Sequence, residues 1–134
     1  MAGLSPTQRT LRELRRLGRI CAITEKWQII PGHPGGGVRK DLFGFIDVLV
    51  LDPSQGIIAI QSCGSSFSQH YRKITNSECT SNVIEWLRSG GKVELWGWAK
   101  VLVKRGGKAR FWKPKVQVIT EEDIFLIKER RNGK

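Results

Sequence analysis

Residues 43–51, Phe43-Gly44-Phe45-Ile46-Asp47-Val48-Leu49-Val50-Leu51, form a run that contains one charged residue. Apart from Asp47 this run is apolar, which predicts a buried strand with a carboxylate in its middle. A second apolar strand is predicted over residues 56–60, and it ends in Gln61-Ser62-Cys63. A buried carboxylate needs a cation or hydrogen-bond donors as partners. Polar groups where two adjacent strands end therefore predict a metal site, although Asp47 could instead only accept hydrogen bonds from a nearby loop.

The charge balance points to a polyanion as the partner. The chain has 134 residues, with 23 Lys and Arg against 12 Asp and Glu, and a net charge of +11. Such an excess attracts polyanions, of which nucleic acid is the commonest, although a basic protein without such a partner is the alternative. There is no apolar run long enough to span a bilayer, no secretory signal, and the three cysteines lack zinc-ligand spacing. We expect a cytoplasmic protein that forms one domain over residues 1–134.

Apolar periodicity and turn residues predict the element order α-β-β-β-α-α-β-β-α, which is a small α/β or α+β domain. A capping box, Ser5 with Gln8, predicts the first helix, with Leu11, Leu14 and Leu17 facing inward. Before the two apolar strands we predict a first strand (20–27) and a flexible loop (31–37). After them we predict a Ser-capped helix (64–74), a third helix (80–89), a basic hairpin (92–120, with strands 92–104 and 109–120), a helix start (121–125) and a basic tail (128–134).

The hairpin combines basic residues with tryptophans. Trp96, Trp98 and Trp112 alternate with lysines and arginines, an arrangement that suits a nucleic-acid groove. We interpret Trp96 and Trp98 as core residues, with base stacking as the alternative, and we expect the hairpin tip to contact phosphates. The predicted nucleic-acid contacts over the whole chain are Arg12, Arg16, Lys40, Arg72, Lys104, Arg105, Lys108 and Arg110.

The α-β-β-β-α core and the residues from Arg39 to Cys63 resemble the PD-(D/E)XK nuclease superfamily, near its VRR-NUC and Holliday junction resolvase branches. The resemblance covers about residues 5–104. The chain looks closer still to small phage or prophage proteins that carry a strand of the Asp-Leu-Phe-Gly-Phe type. The resemblance implies a restriction-endonuclease-like core with a mixed central sheet. It also implies a homodimer that binds DNA in the cytoplasm of a bacterial host.

The resemblance implies a site for Mg²⁺ or Mn²⁺. By position Glu25, Asp47 and Gln61 correspond to the acidic residues of the family site, and Asp47, Gln61 and the Ser62 carbonyl would be the metal ligands. Mg²⁺ prefers oxygen ligands and can lower the pKa of water for phosphodiester hydrolysis. Because Gln61 replaces an acid, we expect the metal to be held weakly.

Cys63 stands where the family has a lysine, and a neutral thiol cannot stabilise negative charge. Lys73 is our choice among the lysines that could replace it, and Lys26 and Lys40 are the alternatives. Asp41 is interpreted as a turn or loop residue that could add a carboxylate. His33 and His70 lack metal-ligand spacing, so we expect solvent or hydrogen-bonding roles for them.

These observations favour a metal-dependent DNA endonuclease, acting on substrates that include branched or recombination DNA. The alternative is a nuclease-fold protein that has lost catalysis and binds nucleic acid or a protein partner. A basic ribosome- or RNA-associated domain shares the charge but leaves the buried Asp47 unexplained.

Overall fold

The structure of the chain, a computed structural model, describes residues 3–124. It is a mixed α+β fold with three helices named in chain order, a helical turn at 121–124, a five-stranded sheet and a two-stranded ribbon. The elements are α1 (Pro6–Arg16), β1 (Ile20–Ile23), β2 (Lys26–Ile29), β3 (Gly37–Lys40), β4 (Val48–Asp52), β5 (Gly56–Cys63), α2 (Phe67–Thr75), α3 (Thr80–Arg88), β6 (Lys92–Leu102) and β7 (Arg110–Ile119).

The large sheet has the order β1-β4-β5-β6-β7. Strand β4 pairs antiparallel with β1 on one side and with β5 on the other. Strands β6 and β7 are also antiparallel, whereas β5 and β6 are parallel. A parallel pair needs a long crossover, and α2 and α3 provide it. The coarse prediction of a small α+β fold with a mixed central sheet and a C-terminal hairpin is confirmed.

Helices cover both faces of this sheet because its strands alternate their side chains between two apolar clusters. On one face α1 packs Leu11 and Leu14 against a cluster that includes Val48, Ile60 and Trp98. On the other face α2 and α3 cover a second cluster, which includes Phe45, Ala59, Cys63, Val83 and Leu95. Trp96 and Trp98 are both buried in the first cluster, as the core interpretation predicted.

The capping box of α1 is confirmed, since the Ser5 hydroxyl accepts from the Gln8 amide at 3.2 Å and the Gln8 side chain accepts from the Ser5 amide at 2.9 Å. The prediction that Leu17 faces inward is wrong, because α1 ends at Arg16 and Leu17 is exposed. The chain then reverses at Gly18, whose φ of 78° favours glycine.

The continuous strand predicted over 43–51 is wrong in its first half. Phe43 and Gly44 have φ values of 55° and 84°, so the chain makes a tight turn, and the Leu42 amide donates to the Ile46 carbonyl at 3.1 Å. Strand β4 begins only at Val48, directly after Asp47. Asp47 therefore lies at the start of the strand and not within it.

The single strand predicted over 20–27 is also wrong, since it divides into β1 and β2. After Ile23 the chain leaves the large sheet, and Thr24 is tied to the next segment by bonds from its amide to the Asp47 carbonyl (2.9 Å) and from its hydroxyl to the Ile46 carbonyl (2.8 Å). Strand β2 then pairs antiparallel with β3. We call this pair of strands, with its connecting loop 30–36, the ribbon.

The remaining elements lie close to their predicted positions. Helix α2 begins at Phe67, and the predicted serine cap is wrong because the Ser66 side chain makes no capping hydrogen bond. Strands β6 and β7 form the predicted hairpin, in which Gly106 has a φ of 79°. The predicted tail 128–134 and Phe125 lie outside the described residues.

The direction of the strands defines two ends of the large sheet. At one end β1 and β5 finish and β4 begins, and we call this the site end. At the far end β4 finishes at Asp52, which is ion-paired with Arg19. Helix α1 contacts the site end through Thr10, whose hydroxyl bonds the Ser62 hydroxyl (2.8 Å) and accepts from the Trp98 indole (2.9 Å). Arg19, which follows this helix, lies at the far end.

Candidate metal centre

Three carboxylates meet at the site end of the sheet. Glu25 lies between β1 and β2, Asp41 directly follows β3, and Asp47 directly precedes β4. Each offers one oxygen, and these oxygens all lie within 4.8 Å of one another. Glu25 and Asp41 therefore form the base of the ribbon, and Asp47 connects them to the large sheet.

The backbone around Asp47 fixes the position of its side chain. Its amide donates to the Ile60 carbonyl and its carbonyl accepts from Thr24, both at 2.9 Å, so both neighbouring strands hold it. The Ser62 amide donates to Asp47 Oδ2 at 2.8 Å. Asp41 is placed by the turn that follows it, in which the Gly44 amide donates to the Asp41 carbonyl at 3.0 Å.

Asp47 is a strongly perturbed carboxyl. Its burial, its hydrogen bond with the Asp41 carboxyl and the charges of Asp41 and Glu25 raise the pKa of Asp47 to about 8, although the bond from the Ser62 amide acts in the opposite direction. A carboxyl with this pKa is in an environment that disfavours its negative charge. A divalent cation between the three carboxylates would reverse that preference.

Two cations already flank the carboxylates. The Arg39 guanidinium bonds Glu25 Oε1 at 3.0 Å, and the Lys73 ammonium bonds Asp41 Oδ2 at 3.2 Å. A cavity of about 410 Å³ beside them is lined by Arg39, Lys40, Asp41, Gly44 and Lys73. Three basic side chains around one open cavity can accept a phosphate group next to the carboxylates.

The Gln61 amide is buried and fully engaged. Its nitrogen donates to the Phe45 carbonyl at 3.1 Å and to Asp41 Oδ2 at 3.4 Å, and its oxygen lies 3.1 Å from Nδ1 of His70. Burial and the charge of Lys73 lower the pKa of His70, so its ring is neutral at pH 7 and donates from Nδ1 to the amide oxygen. Gln61 contacts the site through its N–H group, and its role as an oxygen ligand stays a prediction.

Ser62 and Cys63 complete the end of β5. The Ser62 hydroxyl is engaged with Thr10, so the Ser62 carbonyl remains the part of this residue predicted to bind metal. Burial, followed by the charge of Asp47, raises the pKa of the Cys63 thiol. Cys63 is therefore a neutral, buried side chain and cannot supply the positive charge of a lysine.

The residues present fit a hard divalent cation. All three side chains offer carboxylate oxygens, which Mg²⁺ and Mn²⁺ prefer, and they come from three different segments, so they can surround an ion. The cluster consists of Glu25 and Asp47, which were both predicted for the site, and of Asp41, which was interpreted as a turn or loop residue that could add a carboxylate. The structure brings the three carboxylates together, and their role as metal ligands stays a prediction.

Several predicted nucleic-acid contacts surround the site end. Lys40 is exposed in β3, directly across from Lys26, and Arg72 is exposed on α2 beside Lys73. Because Cys63 pairs with Gly97 and β6 continues to Leu102, the hairpin extends about 17 Å past the end of β5. Its exposed basic residues at the tip are Lys104, Arg105, Lys108 and Arg110.

The two arginines predicted on α1 lie further away. Arg12 is exposed in the middle of the helix, and Arg16 is exposed near its C-terminus, where it bonds Glu13 at 2.5 Å. Arg9, one turn before Arg12, also reaches the hairpin, because its guanidinium lies 3.9 Å from the centre of the Trp112 ring. Arg9 and Trp112 together extend the basic surface of the hairpin.

Sequence patterns missed Arg39, which reaches this centre only through its side-chain contact with Glu25. His70 was expected to have a solvent or hydrogen-bonding role, and its ring does lie at hydrogen-bond distance from Gln61. For Asp41 the sequence did offer a signal, because it lies six residues before Asp47 with a Gly-containing turn between them, so the two carboxylates can come close together. Lys73, which was predicted, does lie at the centre.

The raised pKa of Asp47 predicts how stability depends on pH. Between about pH 4 and pH 8 the folded state keeps the Asp47 proton and the unfolded state releases it, so this group lowers the free energy of unfolding as pH rises. The slope is at most about 1.4 kcal/mol per pH unit. Urea unfolding in EDTA from pH 4.5 to 8.5 should show this slope in wild type and not in Asp47→Asn. Parallel curves for the two proteins would contradict the assignment.

In comparisons with known proteins, no family model, curated protein or solved structure matches this chain. The resemblance to the PD-(D/E)XK superfamily therefore stays a prediction. Within residues 3–124, the helices are too short or too polar to cross a membrane.

Proposed function

We propose that this chain is a metal-dependent nuclease of the PD-(D/E)XK type that hydrolyses phosphodiester bonds in DNA. The observation that carries the proposal is the meeting of Glu25, Asp41 and Asp47, whose oxygens lie within 4.8 Å of one another. Three ionised carboxylates at this distance would repel one another, and a bound divalent cation would let Asp47 ionise beside Glu25 and Asp41.

The strand order supports the same proposal. Helix α1, the antiparallel strands β1, β4 and β5, the crossover through α2, and the parallel strand β6 follow the order expected of the family core. The ribbon is an addition between the first and second strands of that core. Asp47 and Gln61 then stand at the start of the second strand and near the end of the third, where the resemblance places the site residues.

In the proposed reaction, the three carboxylates and the Ser62 carbonyl would hold Mg²⁺ or Mn²⁺. When bound, the metal would lower the pKa of an attacking water and neutralise charge on the phosphate. Lys73 and Arg39 keep positive charge on two sides of the carboxylates, where they can contact the phosphate oxygens. Lys73 would thereby take the role that Cys63 cannot fill.

The overall charge supports a DNA substrate. The net charge of +11 and the basic hairpin at the site end create an attractive field for a polyanion around a small acidic centre. Phosphates can then contact the basic surface while one of them enters the cavity beside Asp41. The homodimer and the bacterial or phage context implied by the resemblance belong to this proposal.

A cleavage assay tests the proposal. Purified protein is incubated with linear, supercoiled and branched DNA in Mg²⁺, Mn²⁺ or EDTA, and we expect strand cleavage with either metal and none in EDTA. Electron paramagnetic resonance of Mn²⁺ should separately detect an ion bound to wild type and a large loss of binding in Asp47→Asn. Absence of metal-dependent cutting on all three substrates would contradict the enzymatic function.

A second candidate is a nucleic-acid-binding protein that has lost catalysis. The buried, neutral Cys63 and the Gln61 N–H group directed at Asp41 favour it, because both replace charged groups of the family site. This protein would bind DNA in a salt-dependent manner that neither EDTA nor Asp47→Asn changes. The cleavage assay and a binding titration in EDTA therefore separate the two candidates.

A further inference from the structure

The ribbon is the part of this fold that the carboxylate centre does not explain. Glu25 directly precedes its first strand and Asp41 directly follows its second, so the ribbon projects from the centre itself. Every residue of β2 is exposed, and in β3 only Gly37 is buried. A two-stranded ribbon with so little burial is marginally stable alone in water, which suggests that it works against a partner.

One face of the ribbon carries Trp27 and Ile29 together with Arg39, and it adjoins the carboxylate centre. Trp27 pairs with Arg39 and Ile29 pairs with Gly37, and residues directly opposite in an antiparallel pair share a face. Trp27 is 55% exposed and Ile29 is 76% exposed. Arg39, on the same face, bonds Glu25, so this face begins at the carboxylates.

Gly37 helps to hold the Trp27 ring in place. A Cβ at position 37 would lie 3.0 Å from Nε1 of Trp27 and 2.2 Å from the Gln28 carbonyl oxygen, so the ring and backbone approach the glycine closely. The absence of a side chain lets the indole lie against β3. Trp27 is therefore an exposed ring in a defined position, which lowers the entropy lost when it stacks on a ligand.

The charge of the ribbon selects its partner. Residues 26–40 contain Lys26, Arg39 and Lys40 and no acidic residue. Two ribbons from two copies of the chain would bring like charges together, whereas a nucleic-acid strand complements them. Basic side chains beside an exposed aromatic ring are typical of proteins that contact phosphates and stack on bases.

We propose that the ribbon binds an unstacked segment of DNA beside the carboxylate centre, with the Trp27 ring stacked on a base and Arg39, on the same face, near the phosphates. An intact duplex offers no free base face to an indole, so the ligand is a single strand or the unpaired arm of a fork. This inference rests on the proposed function, because it specifies the DNA that the centre would receive.

Equilibrium binding in EDTA tests the ribbon without cleavage. Fluorescence anisotropy compares a single strand, a forked duplex and a blunt duplex, each labelled with the same dye. We expect wild type to bind the fork and the single strand more tightly than the blunt duplex, and Trp27→Ala to weaken binding to these two by about tenfold with little change for the blunt duplex. Trp27→Phe should keep most of the affinity because phenylalanine still offers an aromatic face.

Ile57→Ala is the matched control, since Ile57 is an exposed apolar residue at the far end of the sheet, and it should bind all three ligands like wild type. Equal loss for the blunt duplex, or no loss in Trp27→Ala, would overturn the proposal. The proposal would also be overturned if Trp27→Ala sedimented as a monomer where wild type is a dimer and still bound DNA like wild type, because a second copy of the chain would then occupy the ribbon. Loss of fork binding supports the ribbon contact even where the cleavage assay is negative, so the two proposals can fail separately.

Discussion

Asp47→Asn should lower the rate of metal-dependent DNA cleavage on the order of 10³-fold, because the metal supplies several kcal/mol of charge stabilisation and each tenfold in rate corresponds to about 1.4 kcal/mol. Asn can still accept from the Ser62 amide through its oxygen and donate to Asp41 through its nitrogen. The variant therefore keeps the local hydrogen bonds and loses only the negative charge that the cation needs. Single-turnover cleavage in Mg²⁺ measures the effect.

The same substitution should make the metal-free protein more stable at pH 8. At pH 8, folding of the wild type requires either that Asp47 takes up a proton or that its negative charge is buried, and both lower the free energy of unfolding. The asparagine requires neither. Urea unfolding in EDTA measures this gain, and Glu85→Gln, an exposed neutralisation on α3, is the control that should change neither rate nor stability. A purely structural role for Asp47 would give the opposite sign, a less stable variant, and would contradict the metal-centre assignment.

Replacing three of the four basic residues of the hairpin tip by glutamine (Lys104→Gln, Arg105→Gln and Lys108→Gln together) should weaken DNA binding by several hundred-fold at about 0.1 M salt. If each residue contacts one phosphate, the negative slope of log affinity against log salt becomes shallower by about 2.7. All three side chains are exposed in a turn, so the change should leave the fold intact. Anisotropy titrations at several salt concentrations give both quantities.

A control with the same change in charge separates local contact from net charge. Arg15→Gln, Arg88→Gln and Lys92→Gln together also remove three positive charges; Lys92 begins β6 at the far end, and Arg88 pairs with Glu121 near it. We expect this protein to bind DNA with nearly the wild-type salt slope. If both triple variants lose the same affinity, the hairpin makes no specific phosphate contact, and only the overall field matters.

Local signals in the sequence predicted most of the regular elements. The capping box fixed the start of α1, and the apolar spacing of α2 and α3 placed both helices within a few residues. The apolar run up to Gln61 likewise predicted β5. These signals work because a capping hydrogen bond or a repeating apolar face depends on residues that are close in sequence.

The errors fall where the chain changes direction. Residues 43–46 are as apolar as a strand, but Phe43 and Gly44 adopt positive φ, and the turn is stabilised by contacts such as the bond from Asn82 to the Phe43 carbonyl at 3.1 Å. Residues 20–27 have one continuous β propensity, yet β1 and β2 join different sheets. In both places a partner distant in sequence decided the structure, which propensity does not report.

The candidate site shows the same division. Asp47 stood out in the sequence because a charged residue within an apolar run needs a partner. Asp41 did not stand out, since an acid before a Gly-containing turn is ordinary in a loop. Its importance comes from the fold of residues 41–47, which returns the chain so that both carboxylates share one hydrogen bond.

Charge balance and apolar periodicity act locally or over the whole composition, and they were enough to predict a small basic α+β protein with a buried carboxylate in an apolar segment. The folded chain adds that Asp41 lies with Glu25 and Asp47, that Arg39 as well as Lys73 flanks them, and that a ribbon carrying Trp27 projects from the same point. The physical reason is that ion pairing, desolvation and carboxylate repulsion depend on distances of a few ångströms between side chains. Those distances are set by the pairing of strands that are separated in the sequence.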